Sequence, residues 1–134
     1  MNNSSREQPM IDWYWRKVGG TLVREFLAVK AGENQSRRRM DAVIIAGGAQ
    51  LEINCEDVGS DDLEGKDIIV VQAKAKGLGM SLMGQALFSR DLMRAFNPAS
   101  IKSVALCNKS DDVLGPMLEA HEGLEVVVVP EGLD

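Results

Sequence analysis

The stretch Ile68–Gly77, IIVVQAKAKG, constrains the fold of this chain more than any other. Four consecutive β-branched residues demand a buried strand. Side chains alternate along a strand, so Ile68, Val70, Gln72, Lys74 and Lys76 share one face, and Ile69, Val71, Ala73 and Ala75 the other. The first face begins apolar and turns polar as the strand leaves the core. Such a face calls for a cleft at that end.

The rest of the chain supplies neighbours for this strand. From Ile11 to about Lys30, Trp15, Val18, Leu22, Phe26 and Val29 recur at three- and four-residue steps, the spacing of an amphipathic helix. Gly19-Gly20 weakens it, and Glu25 sits at the rim of its apolar stripe. A short strand over Ala42–Ala46, entered through Asp41, is followed by a weaker one in AQLEINC and a polar surface loop, EDVGSDDLEGKD. After GLG comes a helix from Met80 to Phe96, stopped by Asn97-Pro98. A strand in IKSVALC, a helix from Ser110 to about His121 and a strand in LEVVVVP complete the order α-β-β-β-α-β-α-β. Strands joined directly can be antiparallel and those joined through helices are normally parallel, so a mixed sheet flanked by helices is expected.

With 134 residues the chain is long enough for one domain with a real core. That domain is expected over residues 11–134, after a polar and disordered segment at 1–10. No apolar run approaches bilayer length and the N-terminus has no signal-like pattern, so a cytoplasmic protein without membrane contact is expected. Cys55 and Cys107 lack Cys or His neighbours at ligand spacing and read as buried thiols. The single histidine, His121, excludes a Ser-His-Asp site built around a core histidine elsewhere in the chain. A net charge of −5 conceals an asymmetry: residues 1–40 carry eight basic and four acidic side chains, residues 41–134 seven and sixteen. A polyanion could therefore meet the N-terminal part and the run Arg37-Arg38-Arg39, although charge runs are as often plain solvated faces.

Glu25 on the first helix, Asp41 opening a strand, and Gln72-Ala73-Lys74 ending the next long strand, followed by a helix and a strand, form an ordered set. In this the chain resembles the PD-(D/E)XK nuclease superfamily, over about Ile11 to Pro130. The resemblance implies an α/β fold with a restriction-endonuclease-like αβββαβ core, a mixed central sheet flanked by helices, and an added C-terminal helix and strand. It also implies Mg²⁺ or Mn²⁺ held by Asp41 and the Ala73 carbonyl, with Glu25 and Gln72 supplementing them, since hard cations favour oxygen ligands. Lys74 would act on the charge developing at phosphorus or orient the attacking water. Gln85, on the following helix, matches a recurrent accessory glutamine. The expected activity is endonucleolytic hydrolysis of DNA, with Lys76 and Arg37, Arg38 and Arg39 on the phosphate backbone.

The motif departs from the family at two positions: Met40 precedes Asp41 where the family name has proline, and Gln72 replaces an acidic residue. The second departure supports an alternative, a catalytically inactive nuclease-like domain serving as a nucleic-acid-binding or protein-interaction module. A core glutamine bonded to main chain is the plain alternative for Gln85, and an ion pair the plain alternative for Asp41 with Lys74. With no separate recognition domain, specificity would come from a homodimer or a partner subunit.

Overall fold

The computed structural model describes residues 6–133. Helix α1 (Gln8–Val18) leads into strand β1 (Thr21–Val29), which turns back as β2 (Arg38–Ile45). A long loop with two short 3₁₀ turns, Cys55–Asp57 and Ser60–Leu63, then leads to β3 (Asp67–Ala73). Helix α2 (Met80–Met93) crosses to β4 (Ser100–Cys107), and α3 (Leu114–Glu119) to β5 (Leu124–Val128). The strands lie in sequence order; β1, β2 and β3 run antiparallel, and β3, β4 and β5 parallel. This is a mixed five-stranded sheet with helices on both faces, a restriction-endonuclease-like fold with an added C-terminal helix and strand. No helix among the described residues is long and apolar enough to cross a membrane.

Each face is covered by a distinct apolar layer. Met10, Ile11 and Tyr14 of α1 pack on Leu22, Ala42, Ile44, Val71 and Leu106. On the other face α2 and α3 set Leu82, Ala86 and Leu118 against Ala105, Cys107 and Leu124. Both crossover helices lie on that face, as successive right-handed β-α-β connections moving in one direction across a sheet require. Strand β3 is buried on both faces because it sits at the centre of the sheet, which explains its unbroken IIVV run.

The first element differs from the expected 20-residue helix. The helix stops at Val18, and Thr21–Val29 is a strand. Gly19 and Gly20 make the break with φ of 71° and 88°, and a side chain on Gly20 would lie 2.6 Å from the Ile45 carbonyl oxygen. Only glycine accommodates both demands. Trp15 seals the corner by donating its indole N–H to the Gly20 carbonyl at 2.8 Å. The spacing of Leu22, Phe26 and Val29 mimicked a helix because Thr21–Val23 are buried on both faces and the half-buried remainder shows no clean alternation.

The helix also starts earlier than Ile11. Gln8–Met10 are helical and Met10 is in the core, whereas residues 1–5 of the segment expected to be disordered lie outside the described residues. AQLEINC makes only a single parallel bridge, Leu22 to Glu52, along the outer side of β1, so it is not a strand of the sheet. The element order is as expected, but the strand expected over Ala42–Ala46 is the second and not the first, and β1, inside the expected helix, takes the place in the count that AQLEINC had. Cys55 accordingly opens a 3₁₀ turn, while Cys107 is buried in β4, where burial raises its thiol pKa.

Candidate active site

The β2–β3 ladder stops before either strand does. Its last pair is Ala42 with Val71. One residue further out, the strands separate, and the Asp41 carboxylate replaces the missing ladder partner: Oδ2 accepts the Ala73 N–H at 2.9 Å. The divergence opens a cleft of about 460 Å³. It is bounded by Arg37–Asp41 of β2 and the segment before it, Gln72 and Ala73 of β3 with Lys74 just beyond, one side of α2 and Glu7.

Burial is the main force on Asp41. It pushes the carboxyl up to about 6; Glu25 and Glu7 push the same way, against the Ala73 N–H and Lys74. Two further carboxylates and one ammonium are therefore close enough to act on Asp41 electrostatically. Glu25 reaches this position from β1, not from a helix rim as the spacing suggested. Its register partners on either side are intact, Arg24 with Ala42 and Phe26 with Met40, but Glu25 itself is left-handed, at φ 57°. It is an irregularity opposite Asp41, and strained positions of this kind concentrate at functional sites. Arg39 secures it, donating to the Glu25 carbonyl at 2.7 Å.

Glu7 escaped the sequence reading. It immediately precedes α1, and its Oε2 accepts the Ala75 N–H at 2.8 Å, while Arg6 donates to the Ala75 carbonyl at 3.3 Å. The signal available was an acidic residue two positions before Pro9 at a helix start. It was hidden because residues 1–10 read as a polar tail.

Gln72 lies on the α2 side of β3 and is only 5% exposed. Its amide nitrogen donates to Ser89 Oγ at 2.7 Å and approaches Met40 Sδ at 3.6 Å. Ser89 thus turns out to be the buried polar residue of α2, whereas Gln85 is exposed on the cleft wall and is not a core glutamine. Lys74 follows the end of β3 and is held by its N–H to the Leu106 carbonyl at 3.0 Å.

Lys76 does not join this group. The Lys76 N–H turns back to the Lys74 carbonyl at 2.8 Å, so the alternation ends at Ala75, and Lys76 is exposed away from the cleft lining. Arg37 and Arg38 line the cleft with their side chains exposed; Arg39 lines it half-buried. Among the described residues no three His, Cys, Asp or Glu side chains form a metal-binding cluster. The donors present are nonetheless those a hard cation takes. Asp41 is a half-buried carboxylate whose ionised form is opposed by its surroundings, and a cation beside it would relieve that opposition. Mg²⁺ in particular makes do with one or two carboxylates and keeps several waters.

The fold and the position of the cleft place the chain in the restriction-endonuclease-like structural class. Among solved structures it is similar to a repair endonuclease from Pyrococcus abyssi, with a TM-score of 0.62 and 14% sequence identity. The match covers 98% of this chain and 49% of that one, so this chain spans about half the length of that enzyme. What the two share at this identity is the fold. No family model matches the chain, and no curated protein matches it by sequence.

Proposed function

We propose that the chain is a metal-dependent endonuclease of the PD-(D/E)XK type, hydrolysing DNA phosphodiester bonds in this cleft. The observation that carries the reading is Asp41: a half-buried carboxylate at the split end of two central strands, within electrostatic reach of Glu25, Glu7 and Lys74, under an arginine-lined wall. Asp41, Gln72 Oε1 and the Ala73 carbonyl would hold Mg²⁺ or Mn²⁺, with Glu25 and Glu7 supplying the negative charge that Gln72 lacks. When bound, such an ion supplies Lewis-acid polarisation of the phosphate and an acidified water. Lys74 stabilises negative charge building on the phosphoryl oxygens, and the Leu106 carbonyl fixes the backbone from which it reaches. Gln85 and the exposed Arg37 and Arg38 position the backbone of the substrate. Cutting both strands of a duplex would require a second copy or a partner subunit.

A second reading, an inactive nuclease-like binding module, is favoured by one observation: the Gln72 amide is engaged as a buried donor to Ser89, as in a purely structural polar contact. Incubation of purified protein with supercoiled, linear, single-stranded and branched DNA in Mg²⁺ or Mn²⁺ separates the two. The nuclease reading requires cleavage that EDTA and Lys74→Ala both abolish. DNA binding without cleavage of any of these substrates would support the module.

A further inference from the structure

Helix α2 presents two kinds of surface, and only one of them is explained by the core. Leu82, Ala86, Ser89 and Met93 recur at helical spacing and are buried against the sheet. That phase fixes the opposite choice for Gln85, Phe88 and Leu92, which line the cleft. Phe88 is 64% exposed and Leu92 38%. A phenylalanine left this open forgoes most of the burial that an aromatic side chain usually gains. It stands in the same cleft as Arg37, Arg38 and Lys74, so an aromatic face and a group of cations border one space of about 460 Å³.

Cations along a groove with an aromatic platform beside them make up the common chemistry of single-strand recognition: the cations track phosphates, and the ring accepts a base on its face. A paired base inside a duplex keeps both faces in the stack and offers none to Phe88. We propose that Phe88, with Leu92 behind it, is a base-stacking platform that makes the site select DNA with an unpaired nucleotide at the cleft: single strands and single-strand/duplex junctions. This rests on the nucleic-acid reading of the cleft and adds the substrate class to it. Phe88 is then a specificity-determining residue, one that acts through binding and carries no chemistry.

The test is binding in EDTA, which requires no cleavage. Single-stranded oligonucleotides carrying 2-aminopurine are compared with a duplex of equal length in which the analogue is paired, using wild type, Phe88→Ala and Phe88→Trp. The expected result is tighter binding of the single strand than of the duplex, with quenching of the probe. Phe88→Ala should lose roughly 5- to 100-fold in single-strand affinity, the value of one stacked base. It should leave duplex affinity in place, and Phe88→Trp should restore both affinity and quenching. Because Phe88 is exposed, the alanine variant removes little from the core.

The proposal is overturned if wild type prefers the duplex or binds neither, if Phe88→Ala weakens both substrates equally, or if it weakens neither. It is also overturned if sedimentation shows Phe88→Ala converting a dimer to a monomer with single-strand affinity unchanged, since Phe88 would then be an interface residue. Duplex cleavage in Mg²⁺ together with Phe88-independent binding would leave the nuclease reading standing and remove only this one. Phe88-dependent binding without cleavage in any metal would do the reverse.

Discussion

The Gln72 side chain donates to Ser89 Oγ across 2.7 Å, joining the end of β3 to the third turn of α2 in the layer between sheet and helix. The bond fixes which end of the amide is spent. The nitrogen is committed to the helix, so in the proposed metal site the oxygen would be the end that serves a cation. Gln72→Glu therefore tests the departure from the family motif directly. In EDTA the variant should be destabilised by about 1–3 kcal/mol, because a second buried carboxylate beside Asp41 lacks compensation. In Mg²⁺ it should recover and bind metal more tightly than wild type. Thermal melts with and without Mg²⁺, with calorimetric titration, measure both.

Asp41 makes apo stability fall with pH. Its carboxyl titrates near 6 in the fold against an ordinary value of 3.8, so the folded state holds its proton more tightly than the unfolded chain. The stability that this contributes is complete below pH 4 and is lost as pH rises through about 6. Two units correspond to about 3 kcal/mol. Asp41→Asn can still accept from the Ala73 N–H while removing the charge. In EDTA at pH 7 it should melt several degrees above wild type, the advantage disappearing near pH 4. Denaturation curves across pH 3.5–7.5 check the sign.

Glu25 is held in a left-handed conformation that suits glycine. Glu25→Gly relieves that strain and one of the charges opposing Asp41. Apo stability should rise by roughly 1 kcal/mol, while metal affinity and cleavage fall. A gain in stability coupled to a loss of activity would distinguish a working strained residue from an idle one. Urea titration and a cleavage assay on the same sample measure both.

The arginine run divides in two. Arg37 and Arg38 are exposed, whereas Arg39 also holds the Glu25 carbonyl. Replacing Arg37 and Arg38 by alanine should reduce the salt dependence of DNA binding by about 0.7 per lost phosphate contact on a single strand, or about 0.9 on a duplex, with little change in stability. Arg39→Ala should lower the melting temperature as well. An unchanged salt slope after the double replacement would remove these residues from the interface.

The central strand was legible because β-branched residues buried on both faces leave no alternative, and the shared side of Gln72 and Lys74 followed from its phase, whereas Asp41 was picked out by its place at the entrance of a neighbouring strand. The parallel half of the sheet was legible for a similar reason: Asn97-Pro98 and the glycines after Lys76 punctuate its helices. The boundary between α1 and β1 was not. A strand with core on both sides carries apolar residues at helix-like intervals by accident, and only the steric demands at Gly19-Gly20 separate the two readings. Glu7 and Phe88 were hidden for another reason. Their roles depend on contacts 68 residues away and on the phase of a helix against a sheet, neither of which is a local pattern.

The backbone on either side of Lys74 is secured from both ends of the chain, by the Leu106 carbonyl on its own N–H and by Glu7 on the N–H of Ala75. A nascent chain that has just exposed β3 at the ribosome already carries every charged group lining the cleft, yet β4 has still to emerge. Synthesis thus keeps the lysine unanchored until most of the domain exists. In the nuclease proposed above, a truncated fragment would therefore carry the residues of the cutting centre without its geometry.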